Sequence, residues 1–259
     1  MRVRHVLVTA ALAAALLAVP TALIVAHPAV AAYGSTTDVT GPQAARVVAA
    51  RAAELRHTPD QVLTGALGAA GGHSVPFAYA GDSITARPGS WLRDLAATPA
   101  GEAVVRAVGG YAHSGYRSDQ VLARMPIVHG EDVLVVELGT NDVNQHVPTA
   151  TTLRDVDRLV AQVAAPHVLL VAAPPSDHTT SLWGVDRRTG NATLDRALVV
   201  DARRHGWSET DPFAADRERD GSWVPGTSTD GIHPTTAANH AIAGRFAAAI
   251  TAAAQTARA

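Results

Sequence analysis

The 259-residue chain is 47% hydrophobic and 17% charged, with a formal net charge of -2. This length suffices for one sizeable α/β domain, and the near-neutral charge argues against a nucleic-acid-binding protein, which normally carries a basic face. The sequence contains no cysteine and no lysine, and all 21 basic residues are arginine. Thiol nucleophiles, cysteine zinc sites, disulfides, Schiff-base lysines and phosphate-binding loops that end in lysine are therefore excluded.

The first 32 residues have the order of charged, apolar and small residues that is typical of a secretory signal. Arg2 and Arg4 precede an apolar run from Val6 to Ala26, and the small residues at 29–32 suit a signal peptidase. The apolar run is also about long enough to span a bilayer, so an uncleaved membrane anchor is the alternative. Both interpretations predict that the rest of the chain is secreted or extracytoplasmic, and the second attaches it to the membrane.

Residues 33–74 are predicted to be a linker followed by an N-terminal helical segment. Residues 33–38 are small and polar, and Gly41-Pro42 opens a helical pattern. Thr58-Pro59-Asp60-Gln61 resembles a second helix start, with a threonine cap and a glutamine three residues later. The pattern leaves open whether these helices pack on the core or form a stalk. The main domain is predicted over residues 75–259.

From residue 75 onward, strand and helix patterns alternate along the chain. Short apolar runs between turns predict five strands, at Val75–Ala80, Ala103–Val108, Asp132–Leu138, His167–Ala173 and Trp207–Thr210. Helices are predicted to begin near Ser90, Ser118, Thr152, Asn191 and Thr235. Strands that alternate with helices pair in parallel through right-handed crossovers, which predicts an α/β fold built as a three-layer α/β/α sandwich.

Four polar loops are expected at one edge of this sheet, because the carboxyl ends of parallel strands all point the same way. The loops are Gly81-Asp82-Ser83, Ser114-Gly115-Tyr116, Gly139-Thr140-Asn141-Asp142 and Asp230-Gly231-Ile232-His233-Pro234. Each loop taken singly has an ordinary explanation, since Gly, Asp, Asn and Ser are common turn residues. Together they contain the groups that an acyl-transfer site needs.

Ser83 is the candidate nucleophile of such a site. A serine hydroxyl is too weak an acid to attack unaided, and His233 can take its proton and later return it to the leaving group. Asp230 lies three residues before His233 and can bind the other ring nitrogen, which fixes the tautomer. The backbone N–H groups of Ser83 and Gly115 and the side-chain amide of Asn141 are the candidate donors of an oxyanion hole.

These four blocks, in this order, resemble those of the SGNH (GDSL-type) hydrolases. The matching residues are Gly-Asp-Ser at 81–83, the glycine of Ser-Gly-x-x-Ser at 115, Gly-Thr-Asn-Asp at 139–142 and Asp-x-x-His-Pro at 230–234. The resemblance covers roughly residues 75–250, so that residues 75–259 are expected to form the catalytic domain. It implies a flavodoxin-like sandwich with a five-stranded parallel sheet, serine esterase chemistry, and neither a metal nor another cofactor. Gly109 and Gly110 are nearby alternatives to Gly115 in the second block.

Other polar and aromatic side chains have competing interpretations. Four histidines lie near predicted loops, namely His113, His129, His146 and His178. No ligand-spaced partners accompany them, so solvated or structural roles are favoured over a metal site. Asp142 either holds loop backbone or serves as an extra binding group. Three tryptophans near predicted loops could stack on a sugar or, more commonly, pack beneath the loop: Trp91, Trp183 and Trp223.

The leading hypothesis is an exported serine esterase that removes a short acyl group, such as acetyl, from a carbohydrate or a similar small-molecule ester. The sugar preference rests on export and on the loop tryptophans. A lipid esterase or lysophospholipase of the same chemistry is an alternative, and so is a non-catalytic cell-surface binding domain on the same fold. Ser83, Asp230 and His233 argue against the binding domain, which does not need all three. The sequence leaves open whether the acyl group passes to water or to another acceptor.

Overall fold

The computed structural model describes residues 61–68, 74–179 and 184–256. The predicted signal or anchor segment at 1–32 and the helix predicted from Gly41-Pro42 lie outside the described residues. No helix in the described part of the chain combines the length and the apolar character that a membrane crossing needs.

The strands form one mixed sheet. They are β1 (Val62–Thr64), β2 (Val75–Gly81), β3 (Val105–His113), β4 (Val133–Glu137), β5 (His167–Val171) and β6 (Ser208–Thr210). Their order across the sheet is β1-β3-β2-β4-β5-β6. The strands β2 to β6 are parallel, and only β1 runs antiparallel to its neighbour. The five parallel strands have the flavodoxin-like order, which confirms the predicted α/β class.

Helices cover both faces of this sheet. Those in the described residues are α1 (Ser83–Ala86), α2 (Trp91–Ala97), α3 (Pro99–Val104), α4 (Ser118–Leu122), α5 (Thr140–Asn144), α6 (Thr149–Val163), α7 (Arg187–His205) and α8 (Thr236–Ala254). Apolar residues of α2 and α8 form the core on one face, and those of α4, α6 and α7 form the core on the other. The predicted three-layer sandwich is therefore present.

Side-chain alternation along β2 explains why its sequence is apolar throughout. Phe77 and Tyr79 contribute to the core beside α2 and α8, whereas Ala78 and Ala80 contribute to the opposite core. All four are at most 1% exposed. A strand buried on both faces loses the polar alternation of a half-exposed strand, and this is typical of parallel sheets.

Strand β1 corrects the helical segment that was predicted before residue 75. Val62–Thr64 pairs antiparallel with the end of β3, in the register Val62↔His113 and Thr64↔Tyr111. The side chain of Leu63 joins the core and is 5% exposed. The helix predicted from the Thr58 cap is therefore wrong at these residues. The expected five-stranded sheet gains a sixth, antiparallel strand at its edge.

Strand β3 also differs from its prediction, which began it at Ala103 and ended it at Val108. Residues 103 and 104 belong to α3, and the strand continues through the two glycines to His113. The register shifts between Phe77 and Ala78, where β3 carries an extra residue. Gly110 has φ +151°, and a Cβ there would collide with the Tyr79 carbonyl oxygen. The glycines thus permit close strand pairing instead of a turn.

Of the five predicted helix starts, Ser118 is the first residue of α4, and α6 begins at Thr149, three residues before Thr152. Two of the other three are confirmed as caps and one is wrong. The hydroxyls of Ser90 and Thr235 accept N-cap hydrogen bonds from α2 and α8, at 3.4 and 3.2 Å. Helix α7 begins at Arg187 and is capped by Asp186, not by Asn191. The Asn191 amide nitrogen instead donates inward to the Pro174 carbonyl oxygen at 2.9 Å. Asn191, the fifth residue of α7, therefore makes a buried tertiary contact and is not a cap.

Candidate active site

Ser83 lies at the carboxyl end of a central strand, where open α/β sheets place their ligands. β2 ends at Gly81, and the Asp82 carboxylate caps the short helix α1 by accepting from the Ile84 N–H at 3.0 Å. Ser83 is the first residue of that helix. A Cβ at Gly81 would lie within 2.6 Å of the Thr85 side chain. Glycine therefore allows α1 to fold back directly against the strand.

The structure brings Ser83, His233 and Asp230 into one hydrogen-bonded series. His233 Nε2 lies 2.9 Å from Ser83 Oγ, and His233 Nδ1 lies 2.7 Å from Asp230 Oδ2. The other carboxylate oxygen of Asp230 accepts from the backbone N–H groups of His233 and Ile232, at 2.8 and 3.0 Å. With the proton on Nδ1 held by Asp230, Nε2 is free to accept the Ser83 proton.

The charge states in this series suit a serine hydrolase. Burial works against the charge of Asp230, but hydrogen bonds from His233 and Ile232 outweigh it and hold the Asp230 pKa well below its usual range. Burial lowers the pKa of His233, the Asp230 hydrogen bond opposes this, and the nearby Arg87 charge lowers the pKa further. At neutral pH, Asp230 is ionised and His233 is neutral, so the imidazole can act as a base.

The expected pH profile follows from this lowered pKa. Protonation of His233 removes the base, so kcat/KM for p-nitrophenyl acetate should fall as the pH drops through the His233 pKa, with a midpoint below the ordinary value of 6.5. Initial rates from pH 4.5 to 8.5 would measure this, with circular dichroism at each pH to separate unfolding from protonation. A flat profile through pH 5, or a midpoint above pH 7, would contradict the role of His233.

The predicted oxyanion donors lie on loops that Asn141 ties together. The Asn141 side-chain amide donates to Asp82 Oδ2 and to the Tyr116 carbonyl oxygen, both at 3.0 Å. These partners are the neighbours of Ser83 and Gly115 in the chain. In the described part of the protein, neither the Ser83 nor the Gly115 N–H has an acceptor. Both N–H groups can bind an oxyanion as they stand, whereas the Asn141 amide would first have to release an acceptor.

The two glycines that rivalled Gly115 are occupied elsewhere. Gly109 and Gly110 lie within β3 and pair with Ala78 and Tyr79 of β2. Gly115 lies in the loop beyond that strand, with a left-handed φ of +77° that favours glycine. The oxyanion role therefore remains a prediction for Gly115 and is not transferred to its neighbours.

A pair of buried carboxyl groups supports the nucleophile loop from below, and the sequence analysis missed it. Glu137 Oε2 accepts from the Thr85 hydroxyl at 2.9 Å and from the Asp82 N–H at 3.4 Å. Burial raises the pKa of Asp82 to about 6, and burial together with the Asp82 carboxylate raises the pKa of Glu137 well above its usual value. A raised pKa favours the protonated form of Glu137, and this reduces the repulsion between two carboxyl groups at one site. The one indication of this pair in the sequence was a single acidic residue, Glu137, in the most apolar strand.

The Asp142 carboxylate is hydrogen-bonded within the protein and does not line the cavity beside Ser83. Its carboxylate accepts from the Ser118 N–H at 2.9 Å, from the Ser118 hydroxyl at 2.5 Å and from the Thr152 hydroxyl at 3.3 Å. Asp142 is 1% exposed, and burial raises its pKa to about 6. It therefore joins the starts of α4 and α6 to the Asn141 loop, and its suggested use as an extra binding group is not supported.

Arg187 is a second buried charge that sequence reasoning missed. It begins α7, is 5% exposed, and donates from Nε to the Thr140 hydroxyl at 3.0 Å. Burial lowers the pKa of Arg187, and the Asp82 and Asp230 carboxylates oppose that effect. The sequence Asp-Arg-Arg at 186–188 reads as a polar helix start, and nothing in it shows which arginine points inward.

Two of the histidines for which solvated or structural roles were favoured have structural contacts. His113 is buried and stacks on Tyr116 with ring centroids 3.7 Å apart. His178 Nε2 lies 2.9 Å from the Asp230 carbonyl oxygen and supports the loop that carries the acid. In the described residues, one group could offer three metal ligands, namely Asp157, Asp201 and His205. His205 Nε2 lies 3.5 Å from Asp157 Oδ1 and 3.7 Å from Asp201 Oδ1.

Trp91 and Trp223 do not form a sugar-stacking platform. Trp91 is fully buried and Trp223 is 3% exposed, so both pack in the core. Trp183 lies outside the described residues. The part of the sugar hypothesis that rested on Trp91 and Trp223 is therefore wrong, because a stacking ring must face solvent.

A cavity of about 340 Å³ opens beside the Ser83–His233 contact. Polar residues dominate its lining, among them Ser83, Arg87, Ser90, Thr229, Thr236 and Asn239. Its apolar lining residues are Ile84, Pro88 and Pro234. A cavity of this size and polarity suits a small, hydroxylated ligand.

A flavodoxin-like sandwich with serine, histidine and aspartate hydrogen-bonded in series at the sheet edge has the architecture of a serine hydrolase. Residues 79–241, more than half of the chain, match the GDSL-like Lipase/Acylhydrolase family, and the protein belongs to this family. The predicted family and the prediction of an ester-hydrolysing enzyme are confirmed. The alternative of a non-catalytic binding domain is not supported. No curated protein matches the sequence significantly.

Solved structures of low sequence identity share the fold. A GDSL-like lipase from Bacteroides thetaiotaomicron is 19% identical, with a TM-score of 0.54 over 70% of this chain and 87% of the other. A carbohydrate acetylesterase from Sinorhizobium meliloti is 19% identical, with a TM-score of 0.52 over 69% and 99%. A catalytic mutant of an acetylxylan esterase from Geobacillus stearothermophilus is 20% identical, with a TM-score of 0.53 over 71% and 95%.

Proposed function

We propose that the protein is an exported serine esterase that removes a short acyl group, most simply acetyl, from a carbohydrate or a similar hydroxylated ester. The observation that carries this proposal is the small polar cavity directly beside Ser83 and His233. Hydroxyl and amide groups in its lining can hydrogen-bond to sugar hydroxyls. Two structures with the same fold are named as a carbohydrate acetylesterase and an acetylxylan esterase, which supports the choice of substrate class.

In the proposed mechanism, His233 Nε2 takes the Ser83 proton as Oγ attacks the ester carbonyl. The negative charge on the former carbonyl oxygen is bound by the N–H groups of Ser83 and Gly115 and by the Asn141 amide. His233 returns the proton to the leaving alcohol, and the acyl group stays on Ser83. Water then attacks the acyl-enzyme and gives a proton to His233, which returns that proton to Ser83 Oγ as the bond to the acyl group breaks and the carboxylic acid leaves.

Asp230 stabilises the imidazolium that forms in both half-reactions. Its carboxylate is fixed by two backbone N–H groups in addition to the ring, so little reorganisation is needed when charge develops on His233.

Export is proposed from the charged, apolar and small-residue order of residues 1–32.

The experiment that tests the proposed substrate class is a chain-length series of p-nitrophenyl esters, from acetate to palmitate. Because the cavity is small and largely polar, kcat/KM for acetate should exceed that for palmitate by about tenfold or more. Acetate release from acetylated xylan oligosaccharides should accompany this preference. The highest rate on palmitate, without deacetylation of the oligosaccharides, would contradict the proposal and favour the lipid esterase.

A further inference from the structure

Arg87 places a cation directly beside the acid–base pair of the candidate site. It lies immediately after α1, four residues beyond Ser83, and its N–H donates to the Ser83 carbonyl oxygen at 3.2 Å. One helical turn therefore puts both side chains on the same side of α1. The guanidinium Nη1 lies 2.6 Å from His233 Nδ1 and 3.4 Å from Asp230 Oδ2. About 38% of the Arg87 side chain is exposed, and it lines the cavity beside the nucleophile.

His233 Nδ1 thus has two partners that require opposite protonation. The Asp230 carboxylate accepts a hydrogen bond, so its contact needs a proton on Nδ1. A guanidinium only donates, so the Arg87 contact needs a bare Nδ1, which places the proton on Nε2. With the proton on Nε2, the imidazole cannot accept the Ser83 proton. The Arg87 contact therefore favours the unproductive tautomer, and the Asp230 contact favours the productive one.

Arg87 is free to leave this contact for another acceptor. Its side chain is partly exposed, and an exposed ion pair with Asp230 contributes little stability. Asp230 keeps three other donors when Arg87 departs, namely His233 Nδ1 and the N–H groups of Ile232 and His233. Arg87 is the one arginine in the described lining, where it lies beside the ionised Asp230 carboxylate, so an anion in the cavity would bind Arg87. A planar carboxylate matches the fork of a guanidinium best.

From this geometry we infer that Arg87 binds a carboxylate on the substrate, and that this binding frees His233 to act as the base. The inference rests on the proposed esterase function and narrows its substrate class to an acylated acidic sugar, such as an O-acetylated uronic acid. The hydroxyls of the exposed Thr229 and Thr236 suit the sugar, and Arg87 supplies the charge that distinguishes an acidic sugar from a neutral one.

The charges around His233 agree with this inference. The groups that face it are the Asp230 carboxylate, the Arg87 guanidinium and the buried Arg187. His178 bonds to the Asp230 backbone and not to the imidazole. Arg87 lowers the His233 pKa, so a substrate carboxylate that draws Arg87 away should raise it. Substrate binding would then raise the pKa of His233 and also favour the tautomer with the proton on Nδ1, which can accept the Ser83 proton.

The test uses two substrates that differ only in the carboxylate: an O-acetylated methyl glucuronoside and the matching O-acetylated methyl glucoside. Wild-type kcat/KM should favour the glucuronoside by about tenfold or more, the scale of a hydrogen bond to a charged group. Arg87→Gln should lose this preference, through a larger fall of kcat/KM for the glucuronoside than for the glucoside. Arg87→Lys, which keeps the charge without the fork, should retain part of the preference.

Arg154→Gln is the matched control, because Arg154 is exposed on α6, donates to the Thr151 hydroxyl of its own helix and does not line the cavity. It should keep the wild-type ratio of the two substrates. An unchanged ratio in Arg87→Gln, or no preference in the wild type, would overturn the inference and leave the esterase intact. Failure of the wild type to hydrolyse either sugar or p-nitrophenyl acetate would instead contradict the proposed function.

A second readout does not depend on turnover. Nitrogen-15 chemical shifts of the His233 ring report which nitrogen carries the proton. Arg87→Gln should increase the population with the proton on Nδ1 and should raise the pKa of the ring, because a neighbouring cation is removed. A purely structural role for Arg87 would change stability without moving this tautomer equilibrium. An unchanged tautomer in a folded Arg87→Gln protein would overturn the inference.

Discussion

Replacing Ser83 with alanine is expected to reduce kcat/KM for p-nitrophenyl acetate by about 10⁴-fold or more, the usual result of removing a serine nucleophile. The hydroxyl that His233 Nε2 contacts at 2.9 Å would be gone, and no acyl-enzyme could form. Because only one oxygen atom is removed from a residue that is 7% exposed, the fold should be retained. Steady-state rates and thermal unfolding of the same preparation would measure both effects.

Ser222→Ala provides the control for this experiment. Ser222 lies in a turn, where its hydroxyl bonds to Asp220 at 2.6 Å, and it does not line the cavity. Its variant should keep the wild-type rate. Ser83→Ala with more than about a tenth of wild-type activity would show that another group attacks the ester, and would contradict the role proposed for Ser83.

Trp91→Ala is expected to lower the free energy of unfolding by about 3–5 kcal/mol, which is the range for truncating a large buried aromatic residue. The Trp91 ring is fully buried and stacks on Phe246, with centroids 3.8 Å apart and an interplanar angle of 5°. Phe77 packs against it at 6.3 Å, and the indole N–H donates to the Thr85 hydroxyl at 3.1 Å. Urea unfolding followed by circular dichroism would measure the loss.

Trp207 is the matched control, because it is only partly buried and stacks on His205 at the end of α7. Trp207→Ala should lower the free energy of unfolding clearly less than Trp91→Ala does. Trp91→Phe should be intermediate, since it keeps a stacking ring and leaves the Thr85 hydroxyl without its donor. A loss below about 1 kcal/mol for Trp91→Ala would mean that the core repacks around the missing ring and would contradict the expectation.

The contact between Ser83 and His233 could be anticipated from sequence because it depends on topology. Parallel strands deliver the loops that follow them to one edge, so Ser83, Gly115 and Asn141 had to lie near one another once the strand pattern was recognised. The contact between Asp230 and His233 could be predicted without the sheet topology, because both residues belong to one short loop. The order of the four sequence blocks along the chain indicated that the Asp230–His233 loop belongs to the same site as Ser83.

The features that sequence did not reveal depend on individual tertiary contacts. β1 is a strand because three residues complete the edge beside β3, and this pairing partner lies about 50 residues away in the chain. Glu137 appeared as one polar residue in an apolar strand, and its partner Asp82 follows a different strand. The contact of Arg87 with His233 depends on a long, flexible side chain whose direction no periodic pattern encodes.

The Asp230–His233 loop has a consequence for how activity should disappear on heating. Its internal hydrogen bonds join residues that are at most three apart, whereas the bond from His233 to Ser83 spans 150 residues. Local contacts form early in folding, and distant ones need the whole chain to be in place. On heating, activity should therefore be lost when the β2–α1 segment, which carries Ser83, separates from the loop before α8, which carries His233. The hydrogen bond between Asp230 and His233 should still be present at that point.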